Sequence, residues 1–545
     1  MILQLPQWPT TTNSLVLWTL LAICLVLLLT IRITTRRPSS NPTVPVLSGL
    51  IPTLSITLLY MTDMRAFFAK AKPLLRKSAT GIIQFQLGPY KTYLISGPEN
   101  IATIFRASAN VGCDLFFLTL KDSIWGATKE DMAKFARDRS GHSARPAAGC
   151  EDMPEEERVW YGIHTVMATF MTRKTEVEVL SGMFERHFGE VLERRFPVVG
   201  EEGTVGVFEL LKGDMAAAVI KGVNGTRIVE EIPDLIALLW DFDLVVARLA
   251  WGLPRWMARG NYEKRDRFHG ALMRYLEGAI RDFDWESEEN PEWEPIFGSR
   301  FSREFVRWMV KSGFSLRTMA GGFGSLTLFA ANANSLPTAA WCLLEILRSP
   351  SLLASVGSEL AEANIVQPDG SIDRASLLSL PLLQSIYTEN LRLHVSMNVT
   401  RQVTGPLEMS GVKLEEGSVL QACTDIVHHD EEIWGVEGHG AEEFWAERHI
   451  KKGKDGKKEF RLAAGVNDFF PYGGGPPVCP GRFIAKQQIL TTVAMLVSRF
   501  EITPVGWVDL EGNPSDRPAE NDARWCGGAA VPPDRDLKVK LRRLL

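Results

Sequence analysis

Between Phe470 and Ala485 the chain reads Phe-Pro-Tyr-Gly-Gly-Gly-Pro-Pro-Val-Cys-Pro-Gly-Arg-Phe-Ile-Ala, and no other stretch limits the possible fold so tightly. Glycine and proline crowd around a single cysteine, Cys479, and neither residue is at home inside a helix or a paired strand. Immediately beyond, Phe483, Ile484, Ile489, Leu490, Val493, Leu496 and Val497 recur at helical spacing. The chain must therefore pass from a stiff loop into a helix with Cys479 at the junction. Pro480 suits the first helical position, where its missing N–H costs nothing. The N–H groups of the first turn, from Gly481 onward, then point at the sulfur and favour the thiolate. Such a thiolate is a metal ligand or a nucleophile. The alternative is a buried, inert cysteine, the commonest fate of this residue.

The rest of the sequence narrows the setting. The 545 residues hold 60 Lys+Arg against 65 Asp+Glu, a net charge of −5, so no basic excess exists to bind nucleic acid. With 45% hydrophobic and 23% charged residues, the composition is that of a globular chain rather than a collagen-like, mucin-like or disordered one. Seven cysteines, an odd and sparse number, exclude a disulfide scaffold and suit a reduced, cytosol-facing domain. Leu15–Ile31 carries no charge and, at 1.5 Å per residue, is just long enough for a membrane-spanning helix. Trp8 and Trp18 suit the interface, and Arg32, Arg36 and Arg37 follow the run while none of the first fourteen residues is basic. The expected order is a lumenal N-terminus over 1–14, a transmembrane anchor over 15–31, a basic and proline-rich linker over 32–46, and a cytosolic domain over 47–545. A cleaved signal peptide would place its positive charge before the apolar run, not after it. The other long apolar window, Leu326–Leu347, contains Asn332, Asn334, Pro337 and Glu345, and reads as a central helix of the soluble domain.

Periodicity gives mostly helix with strands toward the two ends. Ile82–Leu87 and Thr92–Ser96 flank Gly88-Pro89 as a hairpin, and residues 120–350 are largely helical in pattern. The acidic stretches 151–157 and 286–294 read as solvated loops. Thr338–Leu347 and Leu378–Leu393 read as helices, 399–420 as short strands, and Leu537–Leu541 as a closing strand. Gly321-Gly-Phe-Gly324 lacks the third glycine and the preceding strand of a dinucleotide fingerprint. His428 and His429 resemble a metal pair, but adjacent strand residues face opposite ways, so both are assigned to structure.

No CxxC partner accompanies Cys479, which argues against structural zinc. A lone thiolate as the one strong protein ligand suits haem iron, onto which sulfur pushes electron density. Tyr472, Gly475, Cys479 and Gly481 fall on the pattern Phe-x-x-Gly-x-Arg-x-Cys-x-Gly, and on these residues the chain resembles the cytochrome P450 superfamily. Tyr472 replaces the Phe. Pro477 replaces the Arg that usually holds a haem propionate, and Arg401 is the substitute candidate, with a surface arginine as the alternative. Glu389-Asn-Leu-Arg392 matches the family's E-x-x-R, whose two charged residues share a helix face. Phe444-Trp-Ala-Glu-Arg448-His449 matches its Pro-Glu-Arg-Phe segment, with Ala446 for Pro and His449 for Phe. Glu389, Arg392 and Arg448 would then form a buried structural triad, which is stable only when every member is paired.

The resemblance implies a mainly helical domain with a small β-rich lobe, and haem b lying between the helix after Cys479 and a long helix through 318–347. It implies dioxygen, an NADPH-cytochrome P450 reductase on the endoplasmic reticulum membrane (with cytochrome b5 a candidate second donor), and a lipophilic small-molecule substrate such as a sterol, terpenoid or other secondary metabolite. The distal segment departs from the family pattern. Where an acid and an alcohol are usual, Ala330-Ala-Asn-Ala-Asn334 places Ala333 and Asn334, followed by Ser335. That segment is similar to the branch of sterol 7α- and 12α-hydroxylases and prostacyclin synthase. Asn334 and Ser335 are the catalytic candidates; an amide can hydrogen-bond a peroxide or a water but cannot relay a proton as an acid does. For Asn334 the alternative is a helix-kink residue near Pro337. Trp525-Cys-Gly-Gly528 lies where the family dips a loop into the pocket. Three readings are open: a membrane-bound haem-thiolate monooxygenase, a reductase-independent isomerase or dehydratase of an oxygenated lipid, and a non-catalytic haem- or sterol-binding membrane protein.

Overall fold

The computed structural model describes residues 44–51, 53–106 and 110–545, so the expected anchor over 15–31 and nearly all of the linker lie outside the described residues. Among the described residues no single helix is long and apolar enough to cross a membrane. The chain divides into two units.

The smaller unit comprises the described part of the chain up to Thr103, with residues 110–111 and Thr400–Ala422. Its apolar, alternating runs Ile82–Leu87 and Tyr90–Ile95 pair antiparallel, from Ile82 opposite Ile95 to Leu87 opposite Tyr90. Gly88 takes the turn at φ 55°, a conformation with little penalty only for glycine. Val419–Cys423 joins Tyr90–Ile95 in parallel. Beneath the sheet Phe67, Phe85 and Tyr60 form a ring cluster, and the Tyr60 hydroxyl donates to Gln421 at 3.1 Å.

The larger unit is mainly helical. Five of its helices frame the cysteine loop and the distal segment: α1 (Val159–Thr172), α2 (Leu316–Phe323), α3 (Ser335–Leu347), α4 (Pro381–His394) and α5 (Arg482–Arg499). All thirteen residues of α3 are buried, as its nearly unbroken apolar sequence requires. It packs against α4 and α5, and Leu336, Ala339, Ala340, Leu343, Leu490, Val493 and Ala494 lie in the same core. The strand β1 (Val395–Val403) begins in this unit, where Val395–Met397 pairs antiparallel with β2 (Gly528–Ala530). A separate three-stranded sheet joins Arg535–Arg543 to both Phe500–Asp509 and Glu202–Gly206.

The helix expected through 318–347 is interrupted. After α2 the turns widen over Gly324–Phe329, Ala330–Asn332 resumes a regular turn, and the chain breaks at Ala333-Asn334 before α3. Close packing explains the glycines. A Cβ on Gly321 would lie 1.9 Å from the Trp125 carbonyl oxygen, and one on Gly324 would lie 2.6 Å from Leu272. Gly321-Gly-Phe-Gly324 is thus an intimate helix contact rather than a phosphate loop. Two smaller expectations also change. Pro480 precedes the helix by two residues, because Gly481 caps α5. His428 and His429 come after a short helix, Thr424–Val427, rather than lying on a strand.

Candidate functional site

The cysteine loop is held from within and from three sides. The Cys479 N–H donates to the Tyr472 carbonyl at 3.0 Å, Val478 N–H to Gly475 at 3.1 Å, and Gly473 N–H to Phe470 at 2.9 Å. Gly473 and Gly475 both have φ 73°, outside the range most side chains tolerate. Phe105 presses on the loop: a Cβ on Gly474 would meet its ring at 2.4 Å, and one on Gly475 its carbonyl oxygen at 2.5 Å. The Tyr472 hydroxyl bonds the Tyr387 hydroxyl of α4. At the entry to the loop, Phe470 N–H donates to Nε2 of the fully buried His428 at 3.0 Å. His428 therefore acts as an acceptor, and burial holds it neutral, well below the usual imidazole range.

Cys479 itself is accessible. The surrounding protein raises its thiol pKa by desolvation, while the Gly481 N–H, the Arg482 charge and the Arg482 N–H pull the other way. Arg482 also donates to the Cys479 carbonyl at 2.8 Å. A Cβ on Gly481 would lie 3.8 Å from the sulfur and 3.9 Å from Met171 Sδ of α1, both ordinary contact distances.

Glu389, Arg392 and Arg448 come together with no side-chain exposure. Glu389 accepts from Arg392 Nε at 2.8 Å and Nη2 at 2.7 Å, from Arg448 Nε at 2.7 Å and from Trp445 N–H at 3.3 Å. The remaining guanidinium donors reach backbone carbonyls: Arg392 those of His428 and Ala441, Arg448 those of Trp434 and Gly440. Burial would raise the Glu389 pKa, but hydrogen bonding from Arg392 and His449, with the charges of Arg392 and Arg448, holds it at about 2. The His428 carbonyl and ring thus connect the triad to the cysteine loop in two steps.

On the distal side, Ala330 and Asn334 are accessible on a helix run that is otherwise largely buried. They lie one turn apart on the same face. Ser335 is buried, and its hydroxyl donates to the Ala331 carbonyl at 2.8 Å. Asn334 Oδ1 accepts the Ala530 N–H of β2 at 3.2 Å. The next residue, Val531, is fixed by Trp341 Nε1 at 2.8 Å and by its own N–H to the His394 carbonyl at 2.7 Å. Trp341 stacks flat on His394 at 3.8 Å. Arg401 belongs to the smaller unit, half-buried, and donates to the Thr400 carbonyl at 2.8 Å.

These residues fit a haem. Cys479 offers one accessible sulfur faced by N–H donors, and no group of three His, Cys, Asp or Glu able to hold a metal occurs among the described residues. Iron bound here must bring its own equatorial ligands, as a porphyrin does. Sequence reasoning missed His428 as a loop support, and Tyr387, Arg482 and the Ala530 partner of Asn334. His428 drew notice only as half of a metal-like pair, and the others carry no local signal.

Comparison with known proteins gives a consistent picture. The family described as Cytochrome P450 matches residues 309–514. Cytochrome P450 monooxygenase calL of Penicillium decumbens is 40% identical over 538 residues, covering 98% of this chain and 98% of that protein. Cytochrome P450 monooxygenase efuG of Hormonema carpetanum is 23% identical over 93% of this chain and 90% of its own length. Cytochrome P450 monooxygenase fsoE of Humicola fuscoatra is 25% identical over 92% of this chain and 87% of its own.

Proposed function

The chain belongs to the cytochrome P450 family, and from that premise we propose that it is a membrane-bound oxygenase of a lipophilic secondary metabolite. It is a P450 monooxygenase acting on small molecules, and its likeness to named monooxygenases supports that reading over the isomerase and carrier readings. The observation that carries the site is the accessible Cys479 at the head of α5, in a loop fixed through Tyr472 and His428. Haem, when bound through this thiolate, supplies the activation of dioxygen.

The chain's own residues do the rest. The Gly481 and Arg482 N–H groups stabilise negative charge on Cys479. Tyr472 and His428 keep the loop from yielding. Arg401 is the proposed partner of a propionate in place of Pro477. α3, buried along its whole length, anchors the Asn334 break against an apolar core. Asn334 is the proposed polar contact on the distal side; Ser335, whose hydroxyl is committed to Ala331, is the weaker candidate. The apolar run over 15–31 supports a single-pass anchor in the endoplasmic reticulum membrane, with the reductase on the same face. A sterol-like or terpenoid substrate agrees with that anchor.

The test is turnover of a lipophilic panel by membranes carrying the full chain, a P450 reductase and NADPH, under isotopically labelled dioxygen. The expected product gains one labelled oxygen and requires NADPH. A product labelled from water, or formed without NADPH, overturns the reading.

A further inference from the structure

Three polar side chains occupy the break before α3, and two of them serve their own helix. Asn332 donates its amide to the Leu328 carbonyl at 2.7 Å, and Ser335 its hydroxyl to the Ala331 carbonyl at 2.8 Å. Asn334 alone reaches another element, through its acceptance of the Ala530 N–H.

The segment it holds is strained. Ala529 has φ 126°, where an L-residue other than glycine rarely lies. Its flanks are anchored independently. Upstream, Gly527 N–H donates to Ser396 Oγ at 2.6 Å, and that hydroxyl in turn bonds Asp425. Downstream, Val531 is fixed by Trp341 and His394. Between them, Gly528, Ala529 and Ala530 lie opposite Met397, Ser396 and Val395 of β1. Met397 reaches the cysteine loop, since its Cε lies 3.9 Å from where a Gly473 Cβ would be. The Trp525–Ala530 segment is therefore bracketed by the distal break on one side and by a strand touching the cysteine loop on the other.

The Asn334 amide has a fixed sense. A backbone N–H can only donate, so Oδ1 must face Ala530 and only the NH2 group is left to face elsewhere. We propose that Asn334 is a positioning residue: its amide oxygen clamps the Ala529-Ala530 peptide and holds the Trp525–Gly528 turn in one strained shape that sets substrate specificity. Its remaining NH2 presents hydrogen-bond donors only, which selects a substrate bearing a carbonyl, hydroxyl or ether oxygen. Calling that space a substrate site rests on the P450 monooxygenase reading; the clamp rests on the contacts alone.

The experiment uses the full-length, haem-loaded protein and three variants: Asn334→Ala, Asn334→Asp and Asn334→Ala combined with Ala529→Gly. One readout is the rate of tryptic cleavage after Arg524, the exposed basic residue at the head of the turn. The other is the ratio of affinities for imidazole and 4-phenylimidazole, read from the Soret shift, which reports the room beside the haem. Loss of one hydrogen bond is worth roughly tenfold, so Asn334→Ala should raise the cleavage rate and shift the affinity ratio by about that factor. Asn334→Asp keeps an acceptor and should stay within about twofold of wild type on this scale. Ala529→Gly relieves the strain and should return the double variant toward wild-type cleavage. Wild-type behaviour of Asn334→Ala, or an Asn334→Asp that behaves like Asn334→Ala, overturns the clamp. A chain that binds neither imidazole would sink the haem reading instead, while the cleavage rates would still decide on the clamp.

Discussion

Replacing Glu389 by Ala should prevent a stable, haem-loaded protein from accumulating rather than slow its turnover. The substitution removes three charged hydrogen bonds of 2.7–2.8 Å and leaves two guanidiniums without side-chain exposure or counter-charge. Both keep carbonyl partners, but a dipole does not neutralise a buried cation. Breaking one member out of a buried ion pair costs about 3–5 kcal/mol. The same contacts outweigh burial and hold the carboxyl well below its ordinary 4.5, at about 2, so the folded state favours its ionised form. Because the folded value lies below the unfolded one, this contribution is present above about pH 4.5 and is lost as pH falls toward 2. At neutral pH it is fully in force, and it is a large share of the roughly 5–15 kcal/mol that holds a typical domain folded. The assay is haem content per polypeptide together with the urea midpoint, compared with Glu389→Gln, which keeps the shape and one acceptor and should fall between. A Glu389→Ala protein with wild-type haem loading and an unchanged midpoint would refute the reasoning.

The same contacts set other outcomes. His428→Leu leaves the buried Phe470 N–H without its acceptor and should cost about 1–3 kcal/mol, seen as a lower urea midpoint and a larger fraction of inactive, non-thiolate carbon-monoxide complex. His428→Gln, which can accept at a similar reach, should recover part of both. Gly475→Ala forces a side chain into φ 73° and against the Phe105 carbonyl, so it should reduce haem retention sharply, while Gly512→Ala, with a similarly positive φ but open space around it, should not. His269 is buried and takes up a proton only near pH 3, against about 6.5 in the unfolded chain. The unfolded chain therefore binds that proton first, and stability is lost as pH falls from about 6.5 toward 3. His269→Phe should gain on wild type by up to about 1.4 kcal/mol per pH unit below 6, and a pH-independent difference in urea midpoints would contradict this.

The sequence carried the site's chemistry further than its shape. Cys479 was legible because a glycine- and proline-dense loop running into an apolar helix is a local pattern. Glu389 and Arg392 were legible because a spacing of three residues puts them on one helix face. Arg448 sits 59 residues from its partner Glu389, and only the family resemblance connected them. The break at Ala333-Asn334 was legible in part, since Pro337 lacks the N–H that would bond the Ala333 carbonyl one turn back, but the widened turns over Gly324–Phe329 were not, because periodicity runs straight through them. The roles of Ser335 and Asn334 were equally hidden. Both are short polar residues side by side, yet one turns back to its own helix and the other reaches 196 residues along the chain to Ala530. His428 illustrates the reverse: the residue stood out, but its place after a helix rather than on a strand, and its use as an acceptor, depend on where Phe470 folds.

Thiolate ligation through Cys479 is read most directly from the carbon-monoxide difference spectrum of the reduced protein in membranes. It should be recorded with NADPH and reductase, with a chemical reductant, and again for Cys479→Ala. The expected result is the red-shifted Soret band of a thiolate-ligated haem under both reductants and its loss in the variant. Haem-loaded protein lacking that band, or a Cys479→Ala variant that keeps it, would contradict the assignment of Cys479. A band reached by the chemical reductant alone would contradict the reductase-fed oxygenase.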